Sequence, residues 1–462
     1  MAKLWDKGYR LNEAVERFTV GRDFSLDRLL LPADAMASIA HARMLARVGL
    51  INSAEAEALE AELRSIARDA ARGDVSIRRE DEDGHTVIEA RLIDRLGDTG
   101  KKVHTGRSRN DQVAAASRLY TRESLLDVQE TTLRLVDRLL QRAQEEATTV
   151  MPGRTHMQVA MLSTLGLWFA SWAEQLLDDL VFIRTAAALN DRSPLGSAAS
   201  YGTPLPLDRE FVAQTLGFAS VQNNVLSVQH SRGSVDARVL EAGSAVGSTL
   251  ARMAQDLILF SLPEIDYLAL PEELCSGSSI MPQKRNPDVL ELLRSRAGVV
   301  DGWATQCRSV LRNLPSGYNR DLQDTKEPLL RGLLAMEDSV AVATTVIDGL
   351  VPHREKMRAA LNHEVFATDY AYELVESGVP FREAYRRAAS EYRDQAIPDP
   401  TEALGRRKST GTPGNLALET PLAQLKSFGE QLAVDRRRHE AAVQSVLGEG
   451  VVLRPRGLGE TV

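Results

Sequence analysis

The 462-residue chain is long enough for about three domains of roughly 150 residues each, with ample length for a buried core. Apolar residues make up 43% of the chain, charged residues 26% and aromatic residues 5%, which favours helices over an aromatic-rich β architecture. The net charge of -8 argues against a nucleic-acid-binding or membrane-surface protein, because such proteins present a basic face. Local basic clusters still allow an anionic small-molecule ligand.

Cysteine content and apolar segments indicate the cellular setting. Cys275 and Cys307 are the only cysteines, too few for a disulfide scaffold, and no Cys/His spacing indicates a zinc site. The N-terminus lacks the apolar core of a signal peptide. Charged residues interrupt the most apolar stretch, 157–189, well short of a membrane span. We therefore expect a cytoplasmic protein with no membrane or nucleic-acid partner.

Helical signals begin near the N-terminus. Pro32 is predicted to open a helix that ends at Gly49. Asn52 and Glu55 then form a capping-box pattern, which predicts a second helix reaching about residue 73. An acidic run follows, and the next helix is predicted over 87–96.

The middle of the chain is predicted to consist of long helices. Leu119, Leu126, Leu133 and Leu140 recur every seven residues and so form a packing seam, and this element ends at Pro152-Gly153. Further long helices are predicted over 157–189, 234–262, 287–312 and 328–350. Five helices with such broad apolar seams exceed what one chain can bury, so the bundle is expected to continue across subunits.

These patterns predict an all-α fold with three mostly helical domains and no β-rich region. The predicted divisions are an N-terminal helical domain over 1–112, a central five-helix bundle with its connecting loops over 113–354, and a small helical domain over 355–462.

Polar residues cluster in loops next to the predicted helices. The run from His104 to Gln112 places Ser108, Arg109 and Asn110 before the first long helix, where helix N-termini bind carboxylates and phosphates. The plainer interpretation is a helix cap at Ser108 or Asn110. Capping alone does not require neighbouring arginines, so we favour a binding site.

A second loop, Pro152 to Gln158, contains His156 between Thr155 and Gln158. Histidine exchanges protons near neutral pH, although an isolated histidine is as readily a structural residue.

A third loop, 277–288, combines glycine, Ser278, Lys284 and Asn286. The sequence Asn286-Pro287-Asp288 is a good helix start, but this role leaves the serines and Lys284 unexplained. A fourth loop, 318–328, carries an aromatic hydroxyl, amides, acids and cations, which suits a zwitterionic ligand or a solvated, salt-bridged surface.

The first, third and fourth of these loops, over residues 104–112, 277–287 and 318–328, resemble signature stretches of the argininosuccinate lyase and δ-crystallin branch of the fumarase/aspartase superfamily. The similarity runs in one register from Trp5 to the stretch 378–384, over roughly the first five-sixths of the chain. Gln283 before Lys284, and the run 107–112, favour this branch over fumarase or adenylosuccinate lyase.

The resemblance implies elimination of fumarate from an N-substituted aspartate. A base removes a Cβ proton, an aci-carboxylate carbanion forms, and the C–N bond breaks. Donors arranged around the developing charge are then the largest catalytic contribution. The resemblance implies that Ser278 is the base, that Lys284 and Asn286 hold the developing charge, and that His156 transfers protons. The residues it implies for substrate binding are Asp27, His85, Ser108, Arg109, Asn110, Thr155, Gln158, Tyr318, Gln323 and Lys326.

The resemblance further implies a small-molecule substrate, a homotetramer, and no metal or organic cofactor. The sequence departs from the family over residues 5–9, 158–162 and 230–233. In the last of these, the family's Ser-Asp-Arg-Asp stretch is replaced by His230-Ser231-Arg232-Gly233. Asp23 stands where the family has a serine beside the amino-acid end of the substrate. If Asp23 faces the pocket, it is expected to repel the α-carboxylate of arginine; if it pairs outward with Arg22 or Lys7, the pocket stays neutral.

Three functions are therefore open. The first is argininosuccinate lyase proper, releasing arginine and fumarate. The second is a paralogous C–N lyase that acts on a different N-substituted aspartate. The third, a non-catalytic crystallin-like structural protein, is disfavoured because Ser278, Lys284, His156 and Asn110 are all retained.

Overall fold

The computed structural model describes residues 12–454, and most of them are helical, which confirms the predicted fold class. Trp5 to Tyr9 and Lys7 therefore lie outside the described residues. Asn52 and Glu55 form the predicted capping box. The helices before the central bundle are α1 (Glu13–Val20), α2 (Asp23–Arg47), α3 (Ser53–Ala71), α4 (Gly84–Leu96) and α5 (Asp98–Lys101).

The predicted helix start at Pro32 is wrong. Helix α2 begins at Asp23, and Pro32 lies inside it. A proline within a helix removes one backbone hydrogen bond and crowds the preceding turn. Here α2 is buried along most of its length, so tertiary packing outweighs that local cost.

Five long helices form the centre of the molecule, as predicted. They are α6 (Arg109–Glu145), α7 (Leu165–Asn190), α10 (Ser234–Phe260), α11 (Asp288–Leu311) and α12 (Lys326–Gly349). Helix α6 packs against α7, α12 and α2, while α10 packs against α11, α7 and α12. Leu119, Leu126 and Leu140 of the heptad series are buried and Leu133 is partly buried, so the predicted seam faces the core.

The helix predicted over 157–189 starts later than expected. Residues Val150–Thr155 (β1) and Gln158–Thr164 (β2) form an antiparallel hairpin, and α7 begins only at Leu165, capped by the Thr164 side chain. The predicted helix includes the apolar run 159–162, which lies in β2. Short apolar runs do not distinguish a strand from a helix by periodicity, so the hairpin was missed.

The remaining elements are short, apart from the last helix. Between the long helices lie β3 (Arg192–Ser193), α8 (Arg209–Thr215), β4 (Ser220–Val221), α9 (Val225–Ser231) and β5 (Leu268–Ala269). After α12 come β6 (Val351–Pro352), α13 (Arg354–Ala359), α14 (His363–Glu376), α15 (Phe381–Glu391), α16 (Pro400–Gly405) and α17 (Glu419–Leu447). Strands β3 and β4 pair in parallel, and β5 and β6 pair antiparallel.

Helix α17 returns to pack against α6, α2 and α7. The division of the chain at 112 and 354 stays a prediction. No helix within residues 12–454 combines the length and the apolar character needed to cross a bilayer.

Candidate active site

A cavity of about 1040 Å³ lies where the start of α6, the start of α2, the segment 198–202 and the loop before α12 meet. The structure therefore brings together the first and fourth polar loops of the sequence. The predicted site residues that line this cavity are Ser108, Arg109, Asn110, Tyr318, Gln323 and Lys326.

The start of α6 is fixed by a buried carboxylate. Ser108 Oγ accepts a 3.3 Å hydrogen bond from the Asn110 N–H, so capping and cavity lining occur together in this residue. Asp111 Oδ1 accepts from the Ser108 N–H at 2.9 Å, and its Oδ2 accepts from the Gly196 and Ala198 N–H groups at 3.1 and 2.9 Å. Asp111 thus ties the helix start to the loop that forms the opposite wall.

Arg109 is held by an acidic partner at the cavity wall. Its guanidinium donates to Asp83 Oδ2 at 3.0 Å and to Thr86 Oγ1 at 3.1 Å. Burial opposes ionisation of Asp83, but His85, Arg109 and the Thr86 hydrogen bonds outweigh it and lower the pKa of Asp83. Arg109 therefore also links α6 to the N-terminus of α4.

The loop before α12 holds the N-terminal segment against the cavity. Gln323 Nε2 donates to the carbonyls of Thr19 and Val20 at 3.2 and 3.3 Å, and Arg320 donates to the Thr19 carbonyl at 2.7 Å. These bonds place the start of α2, and with it Asp23, beside the loop. The Gln323 amide nitrogen is thereby engaged by backbone.

Two carboxylates share one lysine at the inner end of this wall. Lys326 Nζ lies 2.7 Å from Asp27 Oδ1 and 3.0 Å from Asp23 Oδ1, and Asp27 Oδ2 accepts from the Gly84 N–H at 2.9 Å. Asp23 therefore faces the cavity, as in the first of the two alternatives, and Arg22 pairs with Glu327 at 2.7 Å. Lys7, the other partner considered for Asp23, lies outside the described residues. Burial raises the pKa of Asp23, although Lys326 opposes this shift.

His85 lies behind this cluster rather than on the main cavity wall. It is buried, its Nδ1 lies 2.5 Å from Asp34 Oδ2, and with Asp27 it lines a small adjoining cavity. Burial alone would lower the pKa of His85, but the neighbouring carboxylates, Asp34 foremost, raise it.

Arg232 belongs to the divergent stretch 230–233 and was not predicted as a site residue, but it lines the cavity. Its guanidinium lies over the Tyr318 ring, 5.1 Å from the ring centroid, and donates to Asn110 Oδ1 at 3.4 Å. Tyr318 is in turn fixed by a 3.2 Å hydrogen bond from its N–H to Ser200 Oγ. The signal that could have identified Arg232 is its retention within an otherwise altered motif.

The second polar loop lies elsewhere, at the tip of the β1–β2 hairpin. His156 and Met157 form its two-residue turn, with φ of 52° and 64°, and Thr155 pairs with Gln158. Non-glycine residues rarely adopt this left-handed conformation, and such backbone strain is concentrated at functional sites. Thr155, His156 and Gln158 are all exposed and do not line the cavity.

The third polar loop is also separate from the cavity. Backbone hydrogen bonds between Ser276 and Asn286, at 3.1 and 2.8 Å, close its base. Ser278 Oγ accepts from the Met281 N–H at 3.1 Å, and Lys284 is exposed. The tip carries Ile280, which is 82% exposed. Within residues 12–454, no group of three or more His, Cys, Asp or Glu side chains is arranged to hold a metal ion.

Comparisons with known proteins agree with this architecture. The sequence model of the family described as "Lyase" matches residues 11–302, more than half of the chain. The argininosuccinate lyase of Sorangium cellulosum is 47% identical over 417 residues, covering 90% of this chain and 97% of that protein.

Among solved structures, EDDS lyase in complex with formate superposes with a TM-score of 0.80 at 25% identity, covering 95% of this chain and 97% of the other. The class II fumarase of Schistosoma mansoni shares the fold, with a TM-score of 0.67 at 18% identity, covering 84% of this chain and 94% of the other. The chain therefore belongs to the argininosuccinate lyase family.

Proposed function

We propose that this protein catalyses the reversible elimination of fumarate from argininosuccinate to give arginine. The observation that carries the proposal is the cavity at which Ser108, Asn110, Tyr318 and Lys326 meet, since the resemblance in sequence implies that these residues bind substrate. Charged side chains of both signs line the cavity, which suits a substrate with carboxylates and a cationic group.

The chemical step is assigned to the loop around Ser278. Ser278 removes the Cβ proton of the succinyl portion, while Lys284 and Asn286 donate to the carboxylate on which the negative charge develops. Serine is a weak base at neutral pH, so Lys284 and the exclusion of water on loop closure must activate it. The closed base at Ser276–Asn286, with Gly277 as the hinge and an exposed tip, supports a loop that closes over substrate.

The hairpin turn supplies the remaining groups. His156 transfers the proton to the departing amine, and Thr155 and Gln158 bind a substrate carboxylate. The left-handed backbone at His156 supports this assignment, because the fold maintains a conformation that costs energy. The resulting C–N cleavage yields arginine and fumarate without any group beyond these side chains.

The assembly proposed is a homotetramer whose sites combine residues of different subunits. Both catalytic loops are exposed in one chain and lie away from the cavity that the same chain forms. Helix α11 also exposes Leu292 and Val299, by 56% and 40%. A side chain added at Gly298 or Gly302 would meet nothing within 4 Å, so another helix has room to approach this face. We further propose a cytoplasmic location.

The second candidate is a paralogous lyase for a different N-substituted aspartate, and the inward Asp23 is the observation that favours it. The discriminating experiment measures fumarate release by ultraviolet absorbance from argininosuccinate and from a panel of other N-succinyl amines. The proposal requires the highest kcat/KM for argininosuccinate. A higher value for an amine without an α-carboxylate would favour the paralogous lyase instead.

A further inference from the structure

Two opposite charges face the same cavity without pairing with each other. Asp23 uses Oδ1 for Lys326, and its Oδ2 has no hydrogen-bond partner among residues 12–454. Within the same part of the chain, Arg232 has no carboxylate within ion-pair distance and only the long bond to Asn110. Both side chains therefore retain hydrogen-bonding capacity directed at the cavity.

The surroundings leave both charges incompletely stabilised. Burial raises the pKa of Asp23 and lowers the pKa of Arg232, in each case disfavouring the charged form. The single charge of Lys326 does not neutralise both carboxylates, because the lysine is shared between Asp23 and Asp27. A partly buried charge without a full partner costs free energy, which a ligand of opposite charge recovers on binding.

A ligand that satisfies both groups carries a cation and an anion close together. The α-carbon of an amino acid carries an ammonium and a carboxylate in this way. We propose that Asp23 binds the α-ammonium of the leaving amino acid while Arg232 binds its α-carboxylate, which makes Asp23 a specificity-determining residue. This inference rests on the proposed function and adds the recognition of the amino-acid head group to it.

The assignment also removes the conflict expected from the sequence. A carboxylate at position 23 repels an α-carboxylate only if the two groups are adjacent. With Lys326 occupied by Asp23 and Asp27, the α-carboxylate is drawn to Arg232, and the ammonium of the same head group then faces Asp23. The charged end of arginine is thereby bound in one orientation.

The test compares three substrates with the wild type and with Asp23→Asn. The substrates are argininosuccinate, its analogue without the α-amino group, and its analogue without the α-carboxylate. Asp23→Asn is expected to lower kcat/KM by roughly 10- to 100-fold for the two substrates that carry the ammonium, and by no more than about 2-fold for the deamino analogue. Glu327→Gln, which removes a neighbouring carboxylate that pairs with Arg22, is the matched control and should change none of them.

Equal losses on all three substrates would overturn the inference, because they would show that Asp23 only holds Lys326 in place. Faster cleavage of argininosuccinate by Asp23→Ser would also overturn it, since it would show repulsion of the α-carboxylate.

Binding of the product separates this inference from the proposed function and needs no turnover. By calorimetry, the wild type should bind arginine at least about 10-fold more tightly than deamino-arginine, and this comparison holds even if Asp23→Asn does not fold. Equal affinities would contradict the role of Asp23. Absence of fumarate release together with that preference would contradict the proposed reaction alone.

Discussion

Lys326 Nζ lies 2.7 Å from Asp27 Oδ1, and this buried ion pair joins the start of the last long bundle helix to the second helix of the chain. The lysine is 7% exposed, and the aspartate is 4% exposed. The pair therefore connects two parts of the cavity wall that are about 300 residues apart in sequence.

Lys326→Met should destabilise the protein by about 3–5 kcal/mol, because it leaves the buried Asp27 carboxylate without its cation. The free energy of unfolding in urea measures this change. The double substitution Asp27→Asn with Lys326→Met should recover part of the loss. Glu327→Gln, which breaks partly exposed pairs with Arg22 and Arg331, should cost no more than about 1 kcal/mol. A Lys326→Met protein as stable as this control would show that the pair contributes nothing.

Asp111→Asn should both destabilise the fold and weaken substrate binding. The carboxylate accepts three backbone N–H groups, and an amide presents N–H donors to some of them, so a loss of about 2 kcal/mol or more is expected. Loosening of the segment 196–198 should raise KM more than it lowers kcat. Urea unfolding and steady-state kinetics measure the two effects, and an unchanged KM would separate Asp111 from the site.

The fold was predictable wherever local pattern and packing agree. The leucine heptad of α6 and the Asn52 capping box both appear where the sequence indicated them. The β1–β2 hairpin was not predictable, because residues 159–162 are equally suited to a helix and a strand. Pro32 likewise signals a helix start, and only the burial of α2 explains its place inside the helix.

The candidate site was predictable as residue types but not as an arrangement. The loops containing Ser108 and Tyr318 could be identified, and they do meet at one cavity. Whether Asp23 turns inward depends on the position of Lys326, which no local pattern specifies. The role of Arg232 depends on the same long-range geometry, since its partners Asn110 and Tyr318 lie far away in the sequence.

Acid should destabilise the protein partly through His104. Burial, and then the charge of Arg107, lower the pKa of His104 to about 4, whereas a histidine in the unfolded chain has a pKa of ~6.5. Between these values the unfolded state binds the proton and the folded state does not, so stability falls as the pH decreases through this window.

In His104→Gln, the free energy of unfolding should fall less steeply between about pH 6.5 and 4 than in the wild type. Denaturant titrations across that range measure the slope. The exposed His230→Gln is the control and should retain the wild-type slope. Identical slopes for His104→Gln and the wild type would contradict the assignment.

Sites shared between subunits should permit complementation. Ser278→Ala and His156→Asn each remove a side chain with a proposed catalytic role, so each protein alone should be inactive. Refolded mixtures should regain activity, because some sites then receive both intact loops from different chains. Native mass spectrometry confirms the mixed assemblies, and a mixture of Ser278→Ala with Lys284→Met, whose changes lie in one loop, is the control. Mixed tetramers without activity would contradict shared sites.

The proposal that Ser278 is the base in the cleavage of argininosuccinate can be tested by measuring both products from the wild type and from Ser278→Ala. The wild type should release fumarate and arginine in equal amounts. Ser278→Ala should lower kcat by roughly 100- to 10,000-fold while leaving substrate affinity nearly unchanged, because the base acts mainly in the transition state. A wild type that releases no fumarate, or a Ser278→Ala enzyme with near-wild-type turnover, would contradict the claim.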